Sequence, residues 1–335
     1  MPDLRFATLD PDEFTYGRVD RVSPTIRRVI AENPSKFTYQ GTGTYLVGDG
    51  DVVVIDPGPV LDSHRDALAA ALDGERVRAI LVTHCHADHS PLAAWLAAET
   101  GAPTFAHGPH PRPDPDDVLD LDDPGDDPAD DRADDRADAP ESGDGEPEAV
   151  KVEETVDHDF APDVAVRTGD VVSEAAGITF TALHTPGHTS NHTCWAFAEE
   201  RALFTGDHVM GWSTTVVSPP DGDMAAYMAS LDAVARRDDE VLWPTHGPPR
   251  RDGREYVRAL YEHREARERQ VLDAIASGRH TITEIVELLY ADVRTELHEA
   301  AGRSVLAHLA KLVAEGRVAV ADGDRARLRS RYEPA

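Results

Sequence analysis

The sequence predicts an α/β domain followed by a small domain built from helices and a hairpin. Short apolar runs alternate with helical stretches, and chemically active side chains recur directly after those runs. This alternation favours sheets whose functional residues gather at the carboxyl ends of their strands. From Gly253 onward, three helical stretches precede a strand, a turn and a strand, which is the pattern of a winged helix.

Length and composition narrow the class of protein. The chain has 335 residues, 40% of them hydrophobic, which suffices for a real core. No apolar run approaches the roughly 20 residues of a membrane span, and the start lacks a basic segment followed by an apolar one. Its 2 cysteines cannot build a disulfide framework. We therefore expect a cytoplasmic protein without a membrane partner.

The charge balance is strongly acidic. The formal net charge is -30, from 33 Lys and Arg against 63 Asp and Glu. Such a surface repels phosphates, which argues against general nucleic-acid binding. Abundant Asp and scarce Lys resemble proteins of salt-loving organisms, in which molar salt screens self-repulsion. A halophilic protein is therefore a compositional hypothesis, and full stability at low salt would contradict it.

One segment of the first domain differs from its surroundings. Residues 113–150 contain 14 Asp and 3 Glu against 2 Arg, a net charge of -15. Such a stretch buries too little apolar surface to offset the entropy of ordering it. It is predicted to be a disordered acidic insertion within a domain that spans residues 1–252.

The first predicted strands and helices place a dense motif on a loop. A strand over 79–82 is followed directly by Thr83-His84-Cys85-His86-Ala87-Asp88-His89. Three histidines and an aspartate within six residues, at the end of a strand, can face two neighbouring points and hold two metal ions. A polar surface loop is the simpler alternative, but four ligand residues at this spacing favour the metal site.

Further ligand types follow other predicted strands. His188 stands on a Pro-Gly turn, Asp207 ends a strand, and His246 precedes a glycine. Asp56 ends the strand over 52–55, where a turn-forming role and a role in orienting a ligand histidine are about equally favoured by its position. Predicted helices lie between these segments, over 64–72, 90–99 and Met224–Ala235.

The predicted winged-helix domain spans 253–335. Its first helix, over 255–277, has an apolar group at each end, so that one end is expected to pack on each domain. Thr281 and Glu284 form a capping-box pattern at the second helix. A third helix over 297–315 precedes strands predicted at 318–320 and 325–332. Basic residues that could form an edge for nucleic acid are Arg303, Lys311, Arg325, Arg327, Arg329 and Arg331.

Taken together, these motifs resemble the metallo-β-lactamase superfamily, in family order from about Thr42 to Pro249. The segments from Thr185 to His192 and from Gly206 to Val216, with the winged helix, resemble its β-lactamase-like protein 2 group. The resemblance implies an αββα sandwich and two divalent metal ions, expected to be zinc. It assigns His84, His86 and His188 to one metal and Asp88, His89 and His246 to the other, with Asp207 bridging and Asp56 supporting.

The resemblance also implies a metallo-hydrolase. A metal-bridging hydroxide would attack the substrate, and Asp88 would accept its proton as the catalytic residue. Asp207 stands where true β-lactamases carry cysteine, so hydrolysis of antibiotics is not expected. A member of the group is a single-strand endoribonuclease, which makes single-stranded RNA the expected substrate.

Two other functions stay open. One is a glyoxalase II-like hydrolase of a small thioester or ester. The other is a winged-helix nucleic-acid-binding protein without catalysis. The winged helix could equally be a lid or the contact of a homodimer.

Overall fold

The computed structural model describes residues 4–10, 14–112, 155–175, 177–291, 298–321 and 323–335. The predicted acidic insertion, 113–150, lies outside the described residues. Within them, no helix combines the length and apolar character that crossing a bilayer requires.

The first sheet has seven strands in sequential order. The first four are antiparallel neighbours, and the last four run parallel, so that the fourth strand belongs to both sets. The strands are β1 Val19–Arg21, β2 Ile26–Ile30, β3 Gly43–Asp49, β4 Asp51–Ile55, β5 Arg76–Leu81, β6 Thr104–Ala106 and β7 Val164–Ala165.

The second sheet has five strands, which are β8 Val171–Ala175, β9 Ile178–His184, β10 Thr193–Phe197, β11 Ala202–Gly206 and β12 Val241–Pro244. Their order across the sheet is β12, β11, β10, β9, β8. The pair of β11 and β12 is parallel, and the other pairs are antiparallel.

Helices cover the outer faces of both sheets. Leu68 and Leu96 pack on the first sheet, while Tyr227 and Tyr256 pack on the second. Aromatic side chains that include Trp195 fill the space between the sheets. The helices are α1 Asp62–Ala71, α2 Leu92–Thr100, α3 Met224–Ala235, α4 Gly253–Ala276, α5 Ile282–Leu289 and α6 His298–Ala314. The layers therefore follow the order helix, sheet, sheet, helix, which confirms the predicted sandwich.

Helix α4 joins the two parts of the chain. Tyr256 and Leu260 in its first half pack in the core beneath the second sheet. Val271 and Ile275 in its second half pack with α5, α6 and the hairpin strands β13 Val318–Val320 and β14 Tyr332–Pro334. The predicted division of α4 between two cores is confirmed, whereas the boundary between residues 252 and 253 stays a prediction.

The winged-helix part agrees with the sequence except at its last strand. The hydroxyl of Thr281 accepts from the Glu284 amide and the Glu284 carboxylate accepts in return, which is the predicted capping box. The strand predicted over 325–332 is wrong, because Val318 pairs with Pro334 and Val320 with Tyr332. The connection between Val320 and Tyr332, which is the wing of the winged helix, is therefore longer than the expected tight turn.

Strands β1 and β2 were not predicted. Arg27 and Arg28 interrupt the apolar pattern of β2, yet both are buried. Arg27 donates to the Glu75 carboxylate at 2.6 Å, and Arg28 donates to the Gly247 carbonyl at 3.3 Å. These hydrogen bonds, to residues distant in the sequence, reduce the free-energy cost of burying the two charged side chains.

Candidate metal centre

The histidine motif begins just beyond β5, in the middle of the parallel part of the first sheet. His84, Asp88 and His89 are buried, and His86 is half-buried. The backbone nitrogen of His89 donates to the His86 carbonyl at 3.0 Å, which folds the motif back on itself. This compact turn brings its imidazoles and carboxylate to one place.

The second sheet brings the remaining residues to the same place. His188 lies on the turn between β9 and β10, Asp207 follows β11, and His246 follows β12. The Nε2 of His188 lies 3.1 Å from His86 Nδ1, and the Nε2 of His246 lies 3.2 Å from Asp88 Oδ2. The structure thus brings together all seven residues predicted as ligands, although the metal each would hold stays a prediction.

Two groups of ligand atoms can be distinguished. His84 Nε2 and His86 Nδ1 are 2.9 Å apart, and with His188 they form one group. Asp88, His89 and His246 form another. Within each group, all ligand atoms lie within 4.8 Å of one another, which is the spacing that a single ion can bridge.

Asp207 lies between the two groups. Its Oδ1 is 3.3 Å from His246 Nε2 and 3.6 Å from His89 Nε2. Its Oδ2 is 3.8 Å from His188 Nε2. One carboxylate therefore turns one oxygen towards each group, which is the arrangement of a bridging ligand.

Asp56 supports the centre from beneath. Its Oδ1 accepts from the Thr83 amide at 2.8 Å, and its Oδ2 accepts from the Thr83 hydroxyl at 2.8 Å and the Thr245 hydroxyl at 3.1 Å. The same Oδ2 lies 2.9 Å from His89 Nδ1. Asp56 has φ 48°, a left-handed conformation that aspartate tolerates better than most residues. Both functions considered from the sequence, turn and support, meet in this residue.

Backbone carbonyls orient two more rings. His188 Nδ1 donates to the Val216 carbonyl at 2.7 Å, and His246 Nδ1 donates to the Gly41 carbonyl at 3.3 Å. His84 Nδ1 lies 3.1 Å from the Thr83 hydroxyl, whose own proton goes to Asp56. Each contact uses the outer nitrogen of a ring and leaves Nε2 for the centre, as expected of supported metal ligands.

The pKa shifts at the centre indicate that its carboxylates favour positive charge beside them. Burial lowers the pKa of His86 to about 3. Burial also opposes the charge on His246, but the Asp207 and Asp88 carboxylates raise its pKa to about 10. Burial would raise the pKa of Asp88, yet His89 and His246 hold it well below its ordinary value. A bound divalent cation would supply the positive charge that these carboxylates favour.

The unpartnered atoms test whether a metal fits. His89 Nε2 and Asp207 Oδ1 are buried without a hydrogen-bonding partner. Asp207 and His89 also form, with His84, a third set of residues whose ligand atoms lie within 4.8 Å of one another. Buried polar atoms are normally paired, so atoms that converge without a partner indicate a missing ligand. Imidazole and carboxylate are suitable donors for zinc and other first-row divalent metals. The residues therefore fit divalent metal ions.

Several further residues support the centre and were not predicted from the sequence. The Thr42 hydroxyl donates to Asp88 Oδ2 at 2.8 Å. His192 is fully buried behind Asp207, whose amide donates to its Nε2 at 3.3 Å. A signal for part of this support was present, because Thr83 and Thr245 each directly precede a predicted ligand histidine.

Sequence comparison agrees with this geometry. The profile of the Metallo-beta-lactamase superfamily matches residues 38–246, which include every predicted ligand. The chain belongs to the metallo-beta-lactamase superfamily. The profile of the Beta-lactamase associated winged helix domain matches residues 281–326, which places the winged helix where the sequence predicted it.

Curated relatives within the superfamily are similar over most of their length. An atrochrysone carboxyl ACP thioesterase of Aspergillus chevalieri is 29% identical, over 84% of this chain and 79% of that protein. The lactamase-like protein ptaB of Pestalotiopsis fici is 26% identical, over 89% of this chain and 82% of that protein. These relatives support an enzyme, as predicted, and specifically a hydrolase of this superfamily.

Solved structures share the fold. A metallo-beta-lactamase family protein from Thermus thermophilus has a TM-score of 0.69 and 23% identity, and covers 94% of this chain and 100% of its own. A beta-lactamase domain protein from Burkholderia ambifaria has a TM-score of 0.70 and 22% identity, and the match covers 97% of this chain and 96% of that protein. The similarity extends across both the sandwich and the winged helix.

Proposed function

We propose that this metallo-hydrolase cleaves acyl thioesters, with an acyl group on a pantetheine-type carrier as the substrate class. The observation that carries this proposal is the similarity to a curated ACP thioesterase over 84% of the chain, together with a compatible set of ligand residues. A small-thioester hydrolase was one of the two alternatives that the sequence left open. The thioesterase and lactamase-like relatives give no support to an endoribonuclease, and single-stranded RNA stays a prediction.

The proposed ligands follow the two groups of the centre. His84, His86 and His188 would hold one ion, and Asp88, His89 and His246 the other, with Asp207 shared between them. The two directions taken by the oxygens of Asp207 support this division. Bound divalent ions would polarise the thioester carbonyl and make water a better nucleophile near neutral pH. The abundance of imidazole supports zinc.

Asp88 is proposed as the residue that orients the attacking water. It is 2% exposed, and the Thr42 hydroxyl donates to its Oδ2, which fixes the plane of the carboxylate. Because its pKa lies well below the ordinary value, Asp88 is a carboxylate at neutral pH and accepts a hydrogen bond from water. Such a weak base is better suited to directing a proton than to retaining it.

A cavity of about 740 Å³ beside the His188 turn could hold part of the substrate. Pro186 and Gly187 of that turn line it, and Leu306 and Ala310 of α6 line the opposite side. Its volume lies in the range of small-molecule sites, which is about 300–1,000 Å³. We propose that the acyl group or carrier arm extends into this space between the sandwich and the winged helix.

The charges around this cavity favour a thioester over RNA. Its basic residues, Lys311, Arg325 and Arg327, are matched by Asp221, Asp223, Glu315 and Asp324. Lys311 is also ion-paired, at 2.7 Å from Glu268 and 2.8 Å from Glu315. A groove for a polynucleotide backbone should instead present an excess of positive charge.

Parallel assays of thiol release and RNA cleavage would test the proposal. Metal-loaded protein should release thiol from S-acyl pantetheine and leave labelled single-stranded RNA intact. His84→Ala should lose this activity, while Asp163→Asn, distant from the centre, should retain it. RNA cleavage without thiol release by fully metallated protein would overturn the proposal. Binding of nucleic acid equally well by metal-free protein, without any hydrolysis, would favour the regulator.

Localisation and assembly remain separate predictions. Fractionation of cells that express the full chain would test the cytoplasmic location, and sedimentation analysis would test the homodimer. Unfolding at low and molar salt would test the halophilic hypothesis.

A further inference from the structure

A buried basic cluster lies where α4 meets α6, and we define it as His263, Arg264, Arg267 and His308. Arg264 is 5% exposed, Arg267 is 9% exposed and His308 is fully buried. Arg264 and Arg267 are three residues apart on α4 and therefore share one face. Arg264, Arg267 and His263 all act on His308 electrostatically. Ala307, which precedes His308, packs in one core with Leu260 of α4, so the two helices meet at this point.

The part of the chain that the structure describes offers the arginines of this cluster no negative partner. Among the described residues, no carboxylate oxygen lies within 4.0 Å of a nitrogen of Arg264 or Arg267. Their ring contacts are with Tyr227, whose centroid is 5.5 Å from Arg264 Cζ, and Tyr290, 4.3 Å from Arg267 Cζ. Aromatic faces attract cations but do not neutralise them.

Unused hydrogen-bonding atoms accompany the unbalanced charge. The Nε of Arg264, the Nδ1 of His263 and both ring nitrogens of His308 are buried and unpartnered. Within the described ranges, the one hydrogen bond of Arg267 goes to the Leu289 carbonyl, at 3.5 Å. Buried donors without acceptors are costly, and buried charges without a partner are more so.

The surroundings make this lack of acid unexpected. The chain has 63 acidic residues against 33 basic ones. One turn after His308 on α6, Lys311 lies 2.7 Å from Glu268 and 2.8 Å from Glu315. Arg317, just beyond the end of α6, lies 2.7 Å from Glu268. Acidic partners are therefore available nearby, but none of those that the structure describes is paired with the cluster.

We propose that the basic cluster binds a small inorganic anion of the halide class, with chloride as the natural occupant. The guanidinium groups of Arg264 and Arg267 provide the charge, and their N–H groups with those of the histidines provide the donors. A monatomic ion suits a cluster whose arginines and His308 are almost closed to solvent. Burial and the two arginines lower the pKa of His308 to about 3, and a neighbouring anion would offset that effect.

The site would stabilise the contact between the two domains and the loop beyond it. Arg264 Nη2 donates to the Thr215 carbonyl. The Thr215 hydroxyl in turn donates to the Asp207 carbonyl at 2.8 Å. An anion that holds Arg264 in place would therefore also hold the segment that follows Asp207.

Thermal unfolding in two salts tests the proposal. At equal ionic strength, sodium chloride should raise the Tm of the metal-loaded full chain above its value in sodium isethionate, by about 2–4 °C. Arg267→Met should abolish this chloride-specific increment. Arg254→Met should retain it, because Arg254 is an exposed arginine on the same helix that donates to the Arg237 carbonyl. Equal increments in wild type and Arg267→Met would overturn the proposal.

Crystals of the wild-type protein soaked in bromide give a test that does not depend on the variant. An anomalous peak within about 3.5 Å of the Arg264 or Arg267 guanidinium is expected. No peak at the cluster, or a Tm increment with phosphate but none with chloride, would overturn the halide site.

Discussion

The Oδ2 of Asp56 lies 2.9 Å from the Nδ1 of His89, and this contact determines which nitrogen of His89 faces the candidate metal centre. Because a carboxylate can only accept, Nδ1 carries the proton and Nε2 points towards Asp88 and Asp207. A residue 33 positions earlier in the chain thus sets the tautomer of a predicted ligand.

Replacing Asp56 should weaken metal binding without unfolding the chain. Asn at position 56 tolerates the φ of 48°. Its amide has one acceptor oxygen in place of two, so Asp56→Asn can no longer accept from Thr83, Thr245 and His89 together. Loss of such support typically reduces metal affinity by about 10–100-fold. Competition with a chromophoric chelator would measure the change. Asp163→Asn is the control, because Asp163 also accepts from a threonine, Thr104, away from the centre. Equal metal affinity in both variants would contradict the supporting role.

Gly187 should tolerate no side chain. A Cβ at Gly187 would lie 2.3 Å from the Cα of Tyr227, and the φ of Gly187 is +139°. Gly187→Ala should therefore displace the His188 turn, lower metal affinity and cost about 2–4 kcal/mol of stability. Gly74→Ala is the control, because Gly74 also has a positive φ, +77°, but a Cβ there would meet no atom within 4 Å. It therefore measures the cost of the backbone conformation without the clash. Urea unfolding of both variants measures the difference, and equal losses would refute the contact.

Acid should destabilise the fold through His64. This residue is 1% exposed, and burial lowers its pKa to about 4. The unfolded chain binds a proton on His64 below about pH 6.5 while the folded chain does not. His64 therefore leaves the free energy of unfolding unchanged well above pH 6.5. It lowers that free energy as the pH drops through 6.5 towards 4.

Urea unfolding at pH 7.5 and 5.5, in chelator, isolates this effect. His64→Gln should lose about 1 kcal/mol less than wild type between these two pH values. His158→Gln, at an exposed histidine, should behave like wild type. A loss in His64→Gln as large as that of wild type would exclude His64 as the cause.

Two buried histidines should differ in their effect on metal content. His246 Nε2 lies among the carboxylates of the centre, whereas both ring nitrogens of His208 are unpartnered and outside the ligand groups. His246→Ala should lower the bound metal by about one ion per chain, because one of the two groups loses a ligand. His208→Leu should keep the wild-type content, and elemental analysis of dialysed protein compares them. Equal metal loss in both variants would contradict the ligand assignment.

The sequence indicated which residues would lie together at the centre, because these residues stand at strand ends. Periodicity located β5, β11 and β12, and the carboxyl ends of strands converge in sheets of this kind. The supporting contacts were less accessible, since Thr42 and Val216 act through tertiary contacts that no local pattern encodes. Thr83 and Thr245 are exceptions, as each is adjacent to a ligand histidine.

The sequence predicted the fold less well where polar residues are buried. Strand β2 escaped prediction because Arg27 and Arg28 break the apolar pattern and find their partners far along the chain. The last strand was placed too early because a turn signal at Gly323 suggested a tight hairpin, whereas pairing of Val318 with Pro334 leaves a long wing. Both errors come from tertiary contacts that override local signals.

Titration of metal-free protein with zinc, followed by thiol release from S-acyl pantetheine, tests the central claim that two metal ions support thioester hydrolysis. The rate should rise until about two equivalents per chain are bound and then level off. Full activity at one equivalent, or no thiol release at two, would contradict the account.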